Sequence, residues 1–148
     1  MSILASNRRA GFDYEILETY EAGIQLTGYE VKSARAGHIQ MAGSFVVVRN
    51  REAFLIGATI SPYQASNTPA GYDPTRSRKL LLHLREIQEL IGKSAQKGLT
   101  LVPLSLYTKK SRIKLSFGLS RRKKKYDKRE TIRKRDDERK MNRALRKS

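Results

Sequence analysis

Asp73-Pro74-Thr75-Arg76-Ser77-Arg78-Lys79-Leu80-Leu81-Leu82-His83 joins two kinds of chemistry in the middle of a 148-residue chain. Its first half is polar and cationic, with Arg76, Arg78 and Lys79 close together, and its second half is a run of leucines. Asp-Pro favours a turn or extended backbone, because the proline ring disfavours helix at the residue before it. The chain therefore passes from loop into a buried strand at about 78–83, carrying three cations to the mouth of a core element. Cations held there form a shaped site for an anion, phosphate first. The plainer alternative is a solvated loop entering a core strand.

Downstream, Leu84, Ile87, Leu90, Ile91 and Ala95 recur at helical spacing and Gly98 supplies a stop, which predicts a helix at about 84–97. His83, alone at the junction, reads as a helix-entry residue rather than a metal ligand. Leu99–Tyr107 and Arg112–Leu119 form a hairpin around 108–111. In its second arm Ile113, Leu115, Phe117 and Leu119 face a core, while the other face is cationic at Arg112 and Lys114.

Upstream, 61–72 is a Pro/Ser/Asn/Gly-rich loop. Phe45, Val47, Phe54, Ile56, Ala58 and Ile60 fall on period two about a polar turn at 49–52, predicting a second hairpin. Thr27-Gly-Tyr-Glu30 fits a capping box opening a short helix that ends at Gly37, with Tyr29, Val31 and Ala34 inward and Lys32 and Arg35 outward. Residues 13–26 read as a strand with a bulge or bend at Gly23. Residues 1–12 read as a short arm bearing Asn7, Arg8 and Arg9.

The formal net charge is +17. Residues 121–148 hold 15 Lys/Arg against 5 Asp/Glu, and the remainder 16 against 9, so tail and body are both basic. Such an excess points to a polyanionic partner, nucleic acid before an acidic membrane surface. The chain lacks cysteine, which removes disulfides and thiolate metal sites. No apolar run approaches the ~20 residues of a membrane span, and the N-terminus lacks the order of a signal peptide, so the expected location is the cytoplasm. The tail's apolar residues, Tyr126, Ile132, Met141, Ala144 and Leu145, make no continuous stripe. A helix there has nothing to dock on the barrel, and the expectation is a tail disordered when free and helical on a polyanion.

Two histidines, no cysteine, scattered carboxylates and no Gly-rich phosphate loop assemble no catalytic constellation, so the chain is expected to be a binder, with no cofactor, and not an enzyme. About six strands with one helix late in the order match a mainly β protein: a small OB-type barrel over residues 1–120, with two or three flanking helices and the basic tail at 121–148. Tyr20, Tyr63 and Tyr72 are candidates for stacking on bases, or equally core or rim residues.

The motifs then resemble one family. Asn7-Arg8-Arg9, Tyr20-Glu-Ala-Gly23, Gly28-Tyr-Glu-Val-Lys-Ser33, Arg35-Ala-Gly37, Asp73-Pro-Thr-Arg76 with Arg78-Lys-Leu-Leu-Leu-His83, Val102-Pro-Leu-Ser-Leu-Tyr107 and Tyr126-Asp-Lys-Arg129 occur in the order found in the bacterial SsrA-binding proteins (small protein B). The resemblance covers nearly the whole chain. It implies an OB-type adaptor, monomeric when free, that binds the tRNA-like domain of transfer-messenger RNA (tmRNA). It implies delivery, with elongation factor Tu and charged tmRNA, to ribosomes stalled on messages lacking a stop codon, where the nascent chain is tagged.

By motif, it assigns RNA support to Asn7, Arg8, Arg9, Glu21, Lys32, Arg35, Arg76, Arg78, Lys79 and Leu81. It assigns Lys123, Lys124, Tyr126, Asp127, Lys128 and Arg129 to the tail that enters the empty mRNA channel and decoding centre of the small subunit. The chain departs from the family at Arg122, where glycine is frequent, at Tyr126, where histidine is frequent, and at Thr108, where an aromatic is common. Composition alone also permits a structural ribosomal protein or a general RNA chaperone, against which the order of the motifs argues.

Overall fold

The computed structural model describes residues 1–147, with the side chains of Ala65, Lys125–Asp127 and Leu145–Lys147 outside the described set. Six strands close into an antiparallel ring: β2 (Tyr14–Ile24), β4 (Phe45–Arg49), β5 (Glu52–Ile56), β7 (Arg78–Leu81), β8 (Leu99–Lys109) and β9 (Arg112–Arg122). Around the ring they run β2–β9–β8–β4–β5–β7 and back to β2. β1 (Ser2–Ser6) adds to the outer edge of β8, and β3 (Ile39–Gln40) pairs with β6 (Thr59–Ile60) in a separate ribbon. Among the described residues four α-helices flank the ring: α1 (Arg8–Asp13), α2 (Gly28–Arg35), α3 (Leu84–Ser94) and α4 (Lys125–Lys147). This mainly β arrangement accords with the expected OB-type fold. No helix among the described residues is long and apolar enough to cross a membrane.

The β8–β9 hairpin follows its alternation, with Leu115, Phe117 and Leu119 buried beside Leu101 and Leu106. Both long hairpins turn through two residues of positive φ, Asn50-Arg51 and Lys110-Ser111, the type I′ geometry whose twist matches that of paired strands. The predicted second hairpin forms, and its period-two pattern does not by itself name the buried face. Val46, Ala53 and Leu55 are the buried residues of β4–β5, whereas Phe45, Val47, Phe54 and Ile56 are half-buried on the outside. Both faces of this ribbon are apolar, so period two could not choose between them.

Gly23 is not a bulge. β2 is paired there on both sides, with Leu81 of β7 and Lys114 of β9, and a Cβ on Gly23 would lie 3.3 Å from the Leu81 Cβ. The glycine permits close approach where β2 passes from one partner to the next. The irregularity in β2 lies at Ile16–Glu18, opposite Ser120 and Leu119 and next to Gly118. A Cβ on Gly118 would meet Ile16 Cγ2 at 2.7 Å and the Glu18 carbonyl at 3.2 Å. Gly118→Ala is therefore expected to cost about 1–3 kcal/mol of stability through overpacking, measured by urea unfolding; an unchanged midpoint would show that β2 yields freely at its bulge.

The N-terminal segment, expected as an arm, is β1 followed by α1. Asn7 fixes the junction: its backbone N–H donates to the Leu104 carbonyl at 2.8 Å, and its Nδ2 to the Pro103 carbonyl at 2.9 Å. The body also runs beyond residue 120. β9 continues to Arg122, and the Lys123 N–H donates to the Asp13 carbonyl at 2.8 Å. The tail is a helix from Lys125, and, contrary to the expectation that nothing holds it to the barrel, its first turns contact α1.

Candidate nucleic-acid interface

Thr27 caps α2 as anticipated: its Oγ1 accepts from the Glu30 N–H at 3.2 Å, and Glu30 Oε1 accepts from the Thr27 N–H at 2.9 Å. The same carboxylate takes two arginines. Arg78 Nε donates to Glu30 Oε2 at 3.0 Å, and Arg76 donates to both carboxylate oxygens. Burial pushes the Glu30 carboxyl up, but the hydrogen bonds from Arg76, the Thr27 N–H and Arg78 outweigh it and hold the pKa below the usual glutamate value. Arg78 also donates to the carbonyls of Ala58 and Pro74, each at 2.8 Å, and is 0% exposed.

Arg78 is therefore corrected from an RNA-contacting cation to a structural one. Strand alternation turned it inward with Leu80 and left Lys79 and Leu81 outward. Arg76 keeps part of its surface exposed, and Lys79 reaches Glu52 Oε1 at 3.4 Å. Asp73 accepts from the Thr75 N–H and hydroxyl, which shapes the preceding turn.

Lys79 and Leu81 line a groove of about 1080 Å³ that also receives Glu21 and Arg35. Thus β2, α2 and β7 bring together four of the residues singled out by motif. Two hairpin tips complete the walls, through Arg51 and Glu52 on one side and Ser111, Arg112 and Lys114 on the other. The floor is apolar, with Ile24, Leu26, Leu80, Ile87 and Ile113, and Leu81 and Leu84 stand 55% and 51% exposed above it. Arg35, Arg51, Lys79, Arg112 and Lys114 outnumber Glu21, Glu52 and Glu86, so the rim attracts phosphate while the floor accepts an apolar ring or sugar edge. Sequence reading saw both tips and the cationic face of β9, but no local signal says that the tips converge on one groove.

Glu21 accepts a hydrogen bond from the Tyr107 hydroxyl and lies 3.4 Å from Lys109 Nζ. The Tyr107 bond holds the Glu21 carboxyl below its usual value, while burial and Glu21 push the Tyr107 hydroxyl up to about 12. An ionised carboxylate only accepts, so Glu21 suits a base N–H or a 2′-OH and repels phosphate.

The other residues singled out lie away from the groove. Lys32 is exposed on α2, and Arg8 and Arg9 are exposed on α1. Asn7 is an anchor, as its two bonds to β8 show. Lys123, Lys124, Lys128 and Arg129 sit at the root of α4; the side chains of Tyr126 and Asp127 lie outside the described residues. Of the candidate aromatics, Tyr20 stacks on Phe117 with centroids 5.6 Å apart, and Tyr72 donates to the Ile60 carbonyl at 2.6 Å and packs edge-on to Tyr29. Tyr63 is exposed beside His38. His83 is the residue from which α3 starts, and among the described residues no cluster of His, Cys, Asp or Glu could hold a metal.

The family profile of the SmpB protein matches residues 4–147. The SsrA-binding protein of Gloeothece citriformis is 57% identical over 143 residues, covering 97% of this chain and 92% of that one. That of Thermosynechococcus vestitus is 52% identical over 145 residues, covering 98% and 95%. A chain in the solved structure "tmRNA-SmpB: a journey to the center of the bacterial ribosome" superposes with a TM-score of 0.68 at 49% identity, covering 87% of this chain and 94% of that one. With the profile spanning the ring, the groove and the basic helix alike, the chain belongs to the SmpB family of SsrA-binding proteins.

Proposed function

We propose that this protein is an RNA-binding adaptor that holds the tRNA-like domain of tmRNA in and around the groove and delivers it to stalled ribosomes for trans-translation. The α4 tail occupies the empty mRNA channel and decoding centre. Elongation factor Tu accompanies the charged RNA. The adaptor acts as a monomer in the cytoplasm and catalyses no step itself.

The observation that carries this division of labour is the placement of groove and tail. Tyr14 pairs with Arg122 at the root of the tail, and Gly23 pairs with Lys114 at the groove. Nine residue steps separate them, about 30 Å at ~3.3 Å per residue. The body thus holds a folded RNA by shape and phosphate contacts at one end, while α4, about 34 Å long at ~1.5 Å per residue, starts from the other. The contacts assigned to Glu21, Arg35, Lys79 and Leu81 are supported by their place in the groove, and those assigned to Arg8, Arg9, Lys32 and Arg76 by their charge and their full or partial exposure.

The test is binding of the full chain to the tRNA-like domain near physiological salt, against excess bulk tRNA. Tight binding that survives the competitor is expected; binding erased by it would overturn the adaptor reading in favour of a general basic RNA binder. Arg35→Ala with Lys79→Ala is expected to weaken binding and to reduce the salt slope by about two phosphates' worth, roughly 1.4–1.8 in log K against log salt. An unchanged slope would move the phosphate contacts out of the groove.

A further inference from the structure

Tyr107 and Glu21 lie on strands that do not pair with each other. Between β8 and β2 runs β9, where Tyr107 is paired with Lys114 and Glu21 with Ser116. Two strand spacings of ~4.8 Å hold their backbones about 10 Å apart, a gap that closes only when a long side chain leans in from each side. The row of Glu21 continues through Ser116 to Ser105, both small, which leaves room for the tyrosine two positions further along β8 to lean back over β9. The Tyr107 hydroxyl thereby donates to Glu21 Oε2. Tyr107 is 8% exposed, so a phenylalanine would bury the same apolar area, and what the hydroxyl adds is the bond to the carboxylate. The other oxygen, Oε1, lies 3.4 Å from Lys109 Nζ, on a glutamate that is 40% exposed and lines the groove.

We propose that Tyr107 is a positioning residue: it locks one oxygen of Glu21 and presents the other, Oε1, as a single acceptor for one neutral donor of the RNA, a base N–H or a 2′-OH. The inference rests on the adaptor reading of the groove. Cations alone hold any polyanion, and Arg35, Lys79, Arg112 and Lys114 supply that grip along the walls. A fixed acceptor among them takes no phosphate. It therefore selects the register in which a neutral donor falls at that corner and phosphates fall at the cations. A glutamate without the tyrosine would do this poorly, because both oxygens would compete for the neighbouring ammonium groups and the side chain would lose rotamer freedom on binding. Tyr107 removes one oxygen from that competition and orders the side chain beforehand. The same bond opposes protonation. It is the largest influence holding the Glu21 carboxyl below its usual value; burial works against it, and Lys109 on β8 and Lys114 on β9 add to it. On β7, Lys79 turns to Glu52 instead. Glu21 is thus an acceptor, and not a donor, near neutrality.

In the full-length protein, Tyr107→Phe removes one oxygen atom and keeps the ring. Titration of the Glu21 carboxyl carbon by NMR reads the bond itself. The parent midpoint is expected below 4.5 and that of Tyr107→Phe above the parent's, since the variant loses a donor that favours the ionised form. A parent midpoint at or above 4.5 overturns the lock, whether or not the variant folds. Tyr107→Phe is expected to bind the tRNA-like domain about ten-fold more weakly, with an unchanged salt slope because no phosphate contact is lost. In a Glu21→Ala background it should cost nothing further. Unchanged affinity, an equal loss in both backgrounds or a shallower slope overturns the positioning role. Substitution in the RNA then names the donor, with 2′-deoxy nucleotides, or bases lacking one N–H donor, placed one position at a time. The parent should lose affinity at one such position where Tyr107→Phe does not; the absence of any such position overturns the single acceptor. A parent that binds bulk tRNA as well as the tRNA-like domain overturns the adaptor reading instead, and the carboxyl midpoints still decide the lock.

Discussion

Glu30→Gln is expected to destabilise the protein by about 3–5 kcal/mol, the cost typical of removing one partner from a buried ion pair. The carboxylate is 1% exposed and Arg78 is 0% exposed. Without the negative charge, the Arg78 guanidinium keeps its carbonyl partners but remains a buried, uncompensated cation. Arg76→Ala should cost far less: Arg76 is partly solvated, and the Arg78–Glu30 pair survives its loss. Pairing Glu30→Gln with Arg78→Met should recover much of the stability, giving a coupling energy in a double-mutant cycle. Denaturant unfolding of these variants, with Arg78→Met alone to complete the cycle, measures all of this, and a loss below about 1 kcal/mol for Glu30→Gln would refute a buried pair of this kind. The pH dependence carries the same signature. Because the folded pKa of Glu30 lies below its ordinary value, the contribution is complete above about pH 4.5 and is lost as pH falls through the folded pKa. The gap between parent and variant should therefore narrow in acid.

Removing residues 125–148 is expected to abolish tagging while leaving affinity for the tRNA-like domain within about ten-fold of the full chain. The cut belongs after Lys124, because β9 runs to Arg122 and Lys123 completes the bond to Asp13. It removes 11 Lys/Arg and 5 Asp/Glu, leaving the body strongly basic and the groove intact. Loss of charge should weaken binding to bulk RNA and flatten its salt dependence, whereas the groove contacts remain. Gel-shift titration and a reconstituted tagging assay separate the two effects. A truncated protein that loses affinity by hundreds of fold would place the principal RNA contacts on the tail.

Much of this architecture is legible in the chain because local rules coincide with tertiary ones. Arg112–Leu119 alternates cleanly, since one face is buried and the other cationic. Thr27 and Glu30 announce α2 through chemistry confined to one turn. Gly98, at φ 82°, follows the loop after α3, which ends at Ser94, three residues before the predicted helix end at 97. What was illegible depends on distant partners. β1 is a strand because β8 offers it an edge, and α1 follows because Asn7 finds two carbonyls there. β4–β5 is apolar on both faces, so its inward face is chosen by the ring it joins.

Arg78 illustrates the deepest difficulty. Among three clustered cations, nothing local says which one the core will take. Glu30, 48 positions away, supplies the answer. The groove was half visible for the same reason: Glu21, Arg35, Lys79 and Leu81 carry family motifs, whereas Arg51 and Arg112 become wall residues only when two separate turns meet.

The nine paired positions that link Tyr14–Arg122 to Gly23–Lys114 also have a mechanical meaning. An adaptor held at the groove and pulled by its tail is loaded along the axis of β2 and β9. In that shear geometry the cross-strand hydrogen bonds share the force, and none can be peeled open before its neighbours. The tail can be tugged within a moving machine while the body keeps its grip, because the strand that ends at the tail's root begins at the wall of the groove.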